Sequence, residues 1–293
     1  MIKIEYYIMM IIAAIGYAGN FAITKVYERH MGSGIRQGVI FNILVGFAGG
    51  IIFFASSGFK VELTVFSFVM ALLFTVFVGA YTIIGFKIMS IGNMTVYTVF
   101  LMLGGAAVPY LYGIAFWEET VNIQKIVAML LVGLAVWLNA SGERSQGQTA
   151  KFILLCFAVF LLNGGTSVVS KAHQIEKVYP TISAQSFVAL KNFARCMFFL
   201  LFLPFCKKTE NTHKLTPKMY AIIFLSAIIS GASYFLQLVC ASYIPASILY
   251  PVVTCGTIVA AAAFDRICFG ERLSRRIIMS VVVCIVALAL FVI

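Results

Sequence analysis

Long uncharged hydrophobic runs, separated by short charged segments, dominate the pattern along the chain. The runs occupy residues 6–24, 37–59, 63–86, 88–117, 126–142, 152–170, 219–264 and 277–293. A bilayer core about 30 Å thick is crossed by about 20 apolar residues in a helix. Each run is therefore expected to form at least one membrane-spanning helix.

Two further details raise the expected number of helices to ten. The run 219–264 is long enough for two crossings, and Pro245 lies near its middle among small polar residues, where it would end a helix. A stretch at about 181–206 is apolar apart from Lys191 and Arg195. The pattern thus predicts an all-α polytopic membrane protein of about ten transmembrane helices. The connecting segments are too short to hold a soluble domain.

The composition agrees with lipid as the solvent. Hydrophobic residues make up 62% of the chain and charged residues 11%, whereas soluble domains are roughly one-quarter charged. Lys3 is the only cation before the first run, and no small-residue cleavage site appears before Lys25. This run is therefore predicted to be a membrane helix rather than a signal peptide. The seven cysteines fall in or beside apolar runs without a CxxC pair, so we expect no metal or cofactor.

The cations are distributed unevenly between alternate loops. The loops after helices 1, 3, 5, 7 and 9 hold 14 of the 21 Lys and Arg residues, the N-terminus and the other loops hold 5, and the last two are Lys191 and Arg195. By the positive-inside rule the 14-cation side is cytoplasmic and both termini lie outside, in a cell membrane, most simply a bacterial inner membrane. Charge arranged in this way favours lipid over nucleic acid as a partner. Monomer and homodimer stay open.

The two halves of the chain share sequence features. Residues 17–25 align with 163–171 at a spacing of 146, and Tyr81, Tyr97, Phe116 and Glu118 align with Tyr234, Tyr250, Phe269 and Glu271 at a spacing of 153. We therefore predict a duplicated five-helix unit, residues 1–142 and 151–293, in one membrane domain. Because five is odd, the second unit enters the membrane from the opposite side. Secondary transporters with inverted repeats bind substrate near mid-membrane, where the repeats meet.

These residues also carry a resemblance to a known family. The chain has Pro245-Ala246, Tyr250-Pro251 and the segment 269–274 (Phe-Gly-Glu-Arg-Leu-Ser), and helices 1 and 6 each combine a Gly-Asn or Gly-Thr feature with a terminal Lys. This pattern resembles the drug/metabolite transporter superfamily, specifically its ten-helix EamA-like branch, over the whole chain. The resemblance implies a basket of two five-helix halves around a central cavity, with the last helix of each half at the periphery. It also implies amino acids or related compounds as substrates.

Two departures from the family pattern concern the first half. The segment Trp117-Glu118-Glu119 lacks the glycine that precedes Glu271 in the second half. Helix 2 has Asn42 in a region where relatives often carry an arginine, whereas helix 7 keeps a cation at Arg195.

Lys191 and Arg195 are the first candidates for a binding site. They are four residues apart and share one face of helix 7. A cation at the centre of a membrane helix costs about 2.5 to 3.5 kcal/mol on insertion scales, so such residues tend to mark function. We predict that both face a cavity and hold an anionic group. The alternative for Arg195 is that it snorkels toward the helix end near Lys207.

Polar side chains recur at helical spacing in helices 8 and 9 and beside glycines in helices 1 and 6. For the Ser and Thr residues of helices 8 and 9, hydrogen bonds to their own backbone or helix packing are favoured. Gln237 and the tyrosines are predicted to line the cavity, with an interfacial position as the alternative for the tyrosines. For the helix 1 and 6 residues, substrate contact and helix packing stay open. The candidates are Asn20, Tyr81, Tyr97, Asn163, Thr166, Tyr234, Gln237 and Tyr250.

The sequence lacks the residues that proton exchange by a buried glutamate, ATP binding and metal or catalytic sites would need. No acid falls in the central part of a predicted helix, so the buried helix 1 glutamate that exchanges protons in four-helix relatives has no counterpart, and Glu118 and Glu271 are expected at the surface. There is no GxxxxGK[ST] loop for ATP. His30, His173 and His213 are assigned to loops without clustered acids or cysteines, so no metal site or catalytic residue is predicted.

The sequence thus predicts a secondary transporter that moves a small neutral, zwitterionic or anionic metabolite by alternating access and is not an enzyme. Two alternatives remain. An intramembrane enzyme of acyl or prenyl transfer would need a paired acid or a His near the membrane boundary, and a channel would not need opposed halves.

Overall fold

The computed structural model describes residues 3–32, 34–60, 63–91, 94–120, 122–140, 150–206, 215–270 and 272–292. Within these residues the chain forms ten α-helices and one short 3₁₀ turn, with no β-strand. The helices are α1 Ile4–Met31, α2 Ile35–Ser56, α3 Val65–Ile91, α4 Met94–Phe116, α5 Ile123–Ala140, α6 Ala150–Ile175, α7 Ala184–Phe202, α8 Pro217–Ala241, α9 Ala246–Phe269 and α10 Arg275–Val292. The predicted all-α polytopic membrane fold is confirmed.

The helices have the length and composition of membrane spans. Eight of them, α1 to α4 and α6 to α9, are long and apolar enough to cross a bilayer. Helices α5 and α10 have 18 residues each. At about 1.5 Å per residue they reach about 27 Å, which is close to the thickness of the hydrocarbon layer.

The long apolar run 219–264 is divided as predicted. α8 ends at Ala241, and α9 begins at Ala246 directly after Pro245. Pro245 cannot donate a backbone hydrogen bond, and its fixed φ suits the position just before a helix. At the far end of α9, Gly270 has the left-handed conformation with a φ of 65°, which closes the helix in the way that favours glycine.

Some helices are longer than the uncharged runs that predicted them. α1 continues to Met31 and α6 to Ile175. The assignment of His30 and His173 to loops was therefore wrong, because charge or polarity near a span end does not stop a helix. His173 is buried and bonded to the Ser67 hydroxyl at 2.8 Å. His213 lies outside the described residues.

The alternation of the helices gives the molecule two faces. The terminal face contains the start of α1, the end of α10 and the connections after α2, α4, α6 and α8. The basic face contains the connections after α1, α3, α5, α7 and α9, which hold most of the cations. The assignment of the basic face to the cytoplasm stays a prediction from the positive-inside rule.

When every helix number is shifted by five, each of the following contacts between helices gives an observed contact. α1 packs against α8 and α9, and correspondingly α6 packs against α3 and α4. α2 packs against α7, α4 against α9 and α5 against α10, and each of these pairs maps onto itself under the exchange. This is the arrangement that an inverted duplication produces. The duplication itself stays a prediction, for which superposition of residues 1–142 on 151–293 is the direct test.

Candidate functional site

A central cavity of about 360 Å³ lies between the two halves. Its wall is formed by residues of α1, α3, α4, α6, α7, α8 and α9. Nine of the ten residues that the sequence suggested for a site line this cavity: Asn20, Tyr81, Asn163, Thr166, Lys191, Arg195, Tyr234, Gln237 and Tyr250. The structure thus brings together residues from six helices that are far apart in the sequence.

Lys191 is the more deeply buried of the two cavity cations. Its side chain lies among aromatic rings, with Nζ 3.5 Å from the ring centroid of Tyr234 and 5.2 Å from that of Phe74. Lys191 is 8% exposed. Aromatic faces are electron-rich, so they stabilise an ammonium group without neutralising it. Within the described part of the chain no carboxylate pairs with Lys191, and its N–H groups remain available to a ligand.

Arg195 points across the helix interface rather than along its own helix. Its Nε donates a 3.0 Å hydrogen bond to Oδ1 of Asn42 on α2, and its Nη2 donates to the same oxygen. Asn42 is itself fixed, because its Nδ2 donates to the Gly38 carbonyl at 2.7 Å. Arg195 lines the cavity and does not snorkel toward Lys207, so that alternative was wrong. A neutral amide holds the guanidinium but leaves its charge uncompensated.

Glycines of α2 allow this close contact with α7. A Cβ atom at Gly46 would lie 2.9 Å from the backbone carbonyl oxygen of Asn192, and one at Gly49 would lie 2.9 Å from the side-chain nitrogen of Asn192. Such distances are shorter than any normal contact, so larger residues would force the helices apart. The small residues therefore set the distance at which Asn42 meets Arg195.

Tyrosine hydroxyls join the walls of the cavity. The Tyr234 hydroxyl and the Ser170 hydroxyl lie 2.8 Å apart, and the Tyr250 hydroxyl donates to the Ser167 carbonyl at 2.6 Å. The Tyr17 hydroxyl donates to the side-chain oxygen of Gln237. Each of these bonds connects helices that are distant in the sequence, so the hydroxyls position the rings around the cavity.

Tyr17 is a cavity residue that the sequence argument did not select. It begins the repeated segment 17–25, where its counterpart in the second half is Asn163. That correspondence of two polar residues was the available signal.

The polar residues of α1 and α6 serve the cavity and helix packing together. The Asn20 side-chain oxygen accepts a hydrogen bond from the Ser226 hydroxyl at 2.6 Å. The Asn163 side-chain nitrogen donates to the Leu101 carbonyl at 2.7 Å, and the Thr166 hydroxyl donates to the Asn163 carbonyl at 2.6 Å. Substrate contact and helix packing, the two roles left open by the sequence, are therefore compatible. Each of these side chains makes a hydrogen bond to a helix and also lines the cavity.

Most of the small hydroxyls behave as favoured from the sequence. Ser230, Ser233 and Thr257 each donate to the backbone carbonyl four residues earlier, at 2.6 to 2.8 Å. Such a hydroxyl has its hydrogen-bond partner in the backbone of its own apolar helix. Ser226 differs, since it reaches Asn20 on another helix.

Tyr97 is the one predicted site residue that lies outside the cavity. It packs against an apolar cluster of α3 and α6 that contains Ile88, Phe152, Cys156 and Val159. The predicted symmetry with Tyr250 therefore does not hold for its position. The two tyrosines lie in the first turns of α4 and α9, at opposite faces of the membrane, and the faces differ in packing.

Two adjacent glutamates after α4 have different surroundings. Glu118 is exposed, as the sequence suggested. The Glu119 carboxylate is buried, with 9% of its side chain exposed, and it was not predicted as a functional residue. It accepts hydrogen bonds from the backbone N–H groups of Ala246 at 2.6 Å and Ser247 at 2.8 Å. Glu271 lies outside the described residues.

The ten helices of the described residues, eight of them long and apolar enough to cross a bilayer, define a multi-pass membrane protein with a central polar cavity. Residues 150–293, which contain the second five helices, match the sequence model of the EamA-like transporter family. The resemblance to the drug/metabolite transporter superfamily is therefore confirmed. The family indicates a membrane transporter of the drug/metabolite type, and such proteins are generally not enzymes.

Solved structures show the same fold. One of them, titled only "Crystal structure of protein", superposes with a TM-score of 0.75 at 11% identity and covers 95% of each chain. At this identity the likeness concerns the fold alone. A search of curated proteins gives no match.

Proposed function

We propose that the protein is a secondary transporter that moves small anionic or zwitterionic metabolites, amino acids or related compounds among them, across a cell membrane by alternating access. The observation that carries this proposal is the pair of cations in the central cavity. Lys191 and Arg195 line the cavity and have no carboxylate partner among the described residues. Two uncompensated cations in a low-dielectric site favour a ligand that brings negative charge.

The cavity also limits the size and shape of the ligand. A volume of about 360 Å³ suits a small metabolite and lies at the lower end of the range for ligand pockets. The aromatic faces of Phe74 and Tyr234 and the amide of Gln237 lie in the same wall as the cations. A carboxylate at the cations with a small apolar or amide-bearing body against the rings fits this distribution.

Ligand-dependent stabilisation of the purified protein tests the substrate class. A ligand present at 100 times its Kd stabilises the folded state by about 2.7 kcal/mol, which raises the melting temperature. Matched carboxylates, amino acids, neutral amides and amines of the same size are compared. We expect carboxylates and amino acids to stabilise the protein, amides to do so less, and amines not at all.

The same compounds are then tested for uptake into vesicles that contain the protein. Lys177→Met is the matched control, because Lys177 is exposed in the connection after α6 and its loss should leave binding unchanged. Stabilisation and uptake of amines, with no response to carboxylates, would contradict the proposal.

A further inference from the structure

Two ion pairs lie at opposite faces of the molecule, and each joins a lysine of one half to an acid of the other half. At the terminal face, Lys171 at the end of α6 approaches Glu119 after α4, with Nζ and Oε1 4.0 Å apart. At the basic face, Lys25 of α1 pairs with Asp265 of α9 at 2.8 Å. The lysines align at the spacing of 146 residues that relates the halves. The acids do not align, since Glu119 follows α4 whereas Asp265 lies within α9, but each belongs to the fourth helix of the other half or to the segment directly after it.

Both members of the pair at the terminal face form hydrogen bonds with backbone groups around them. Lys171 Nζ donates to the carbonyls of Ala241 at 3.0 Å and Ile244 at 2.6 Å, at the end of α8 and in the turn that follows. Glu119 accepts from the N–H groups of Ala246 and Ser247 at the start of α9. Carbonyls at a helix end attract a cation, and N–H groups at a helix start attract an anion. The pair thus ties α4 and α6 to the α8–α9 turn.

The two pairs differ in exposure. The side chains of Lys171 and Glu119 are 6% and 9% exposed, whereas those of Lys25 and Asp265 are 35% and 38% exposed. Lys171 directly follows Ser170, which lines the cavity. The buried pair therefore covers the cavity on the terminal side.

Helix packing also differs between the two faces, and it is closer at the terminal face, where the ion pair is buried. α6 packs against α8 beside the buried pair, but the corresponding helices α1 and α3 do not pack comparably. Tyr250 bonds to Ser167 of α6, whereas its counterpart Tyr97 packs away from the cavity. Phe21, the counterpart of Ser167, lines the cavity and is 53% exposed. The helices around the cavity are therefore in closer contact at the terminal face than at the basic face.

We infer that the buried Lys171–Glu119 pair is the closed terminal gate of the carrier, and that the exposed Lys25–Asp265 pair becomes buried when the gate at the basic face closes. The structure has the terminal gate closed. In the opposite state Lys25 becomes buried and bonds the carbonyls at positions 88 and 91, which correspond to Ala241 and Ile244, while Lys171 and Glu119 separate. This inference rests on the proposed transport function and names the residues that hold its closed states.

Side-specific chemical labelling tests the gate without a substrate. Thr254 lines the cavity and is changed to Cys as a reporter, and exposed Cys268 is changed to Ser to lower the background. A charged thiol reagent that does not cross membranes is added to one side of sealed, oriented vesicles. Protein without the reporter gives the rate from the buried cysteines. With intact gates we expect labelling from the basic face only.

Breaking the terminal gate should admit the reagent from the other side. Removing one partner of a buried pair leaves a buried charge uncompensated, so Lys171→Met and Glu119→Gln should each raise labelling from the terminal face by roughly tenfold or more. Glu118→Gln is the matched control, because Glu118 is adjacent but exposed. It should leave that rate unchanged. Lys171→Arg keeps the charge and should remain sealed.

The outcomes separate the gate from the transport proposal. If Glu119→Gln and Lys171→Met leave the terminal side sealed, or if Glu118→Gln opens it equally, the gate assignment is wrong. Should Lys171→Met fail to accumulate, Glu119→Gln alone decides, since it keeps the size of the side chain. Stabilisation by carboxylates is measured on the same preparations. Its absence with a responsive gate would reject the substrate class and leave the gate standing.

Discussion

α2 and α7 are the second helices of their halves and pack against each other, but only α7 lines the cavity, and the two helices carry different kinds of residue. α7 supplies Lys191 and Arg195, whereas α2 supplies glycines and Asn42. Two facing helices that both carried cations would repel each other in lipid. The comparison shows that one helix can provide the charge while the helix packed against it provides close approach and a neutral acceptor.

The largest effect is expected when the charge of α7 is removed. Charge-assisted hydrogen bonds contribute roughly 1.5 to 3 kcal/mol each, so losing one should weaken anion binding by about 10- to 150-fold. The double variant Lys191→Met with Arg195→Met should abolish measurable binding and uptake. Arg195→Lys should fall between wild type and Arg195→Met, because it keeps the charge but loses the planar fork. Normal uptake by the double variant would make these cations structural.

A carboxylate on α2 should cancel the difference between the two helices. Asn42→Asp keeps the shape of the side chain and places a counter-ion in contact with Arg195. We expect anion affinity to fall by about tenfold, because Arg195 then has a permanent partner. Asn122→Asp, at the exposed start of α5, is the control for added charge. Unchanged affinity in Asn42→Asp would remove Arg195 from the binding site.

Enlarging a glycine of α2 should disturb the distance between the helices. Gly46→Ala places a methyl group 2.9 Å from the Asn192 carbonyl oxygen and should destabilise the protein by about 1 to 3 kcal/mol. Gly133→Ala is the matched control, because its added methyl group would meet only Leu103 at an ordinary 3.9 Å. Thermal melting in detergent compares the two. Equal melting temperatures would show that the α2–α7 contact adapts without cost.

The smallest effect concerns single hydroxyls in the wall. Tyr234→Phe should weaken binding by about 2- to 10-fold through the loss of one hydrogen bond, with the ring beside Lys191 retained. Tyr97→Phe should leave binding unchanged, because Tyr97 lies outside the cavity. The measured quantity is the ratio of the carboxylate affinities of Tyr234→Phe and Tyr97→Phe. A stronger effect of Tyr97→Phe would mean that this ring enters the site in another conformation.

The helices and most of the cavity residues could be predicted from the sequence because both leave one-dimensional signals. A span is a run of about 20 apolar residues. A polar or charged residue inside such a run is costly unless it faces a cavity or a partner, and this singled out Lys191 and Gln237. Tyr97 was selected instead by its symmetry with Tyr250, and it lies outside the cavity, because the sequence does not indicate how the helices pack at each face.

The buried ion pair could not be predicted in this way. Lys171 and Glu119 each lie at the end of an apolar run, where charge is ordinary and indicates the membrane surface. Their burial depends on the α8–α9 turn, which folds over both residues and presents Ala241 and Ala246 to them. Contacts of this kind between distant segments are properties of the tertiary structure. The adjacent Glu118 carries the same local signal and is exposed.

The unequal exposure of the two ion pairs gives the molecule an unequal response to ionic strength. Mobile ions screen charges over about 8 Å in 0.15 M salt, and they act on exposed pairs far more than on buried ones. The Lys25–Asp265 pair, with side chains 35% and 38% exposed, is open to this screening, whereas Lys171–Glu119 is shielded by protein. Salt at the basic face should therefore weaken the Lys25–Asp265 pair and leave the Lys171–Glu119 pair intact.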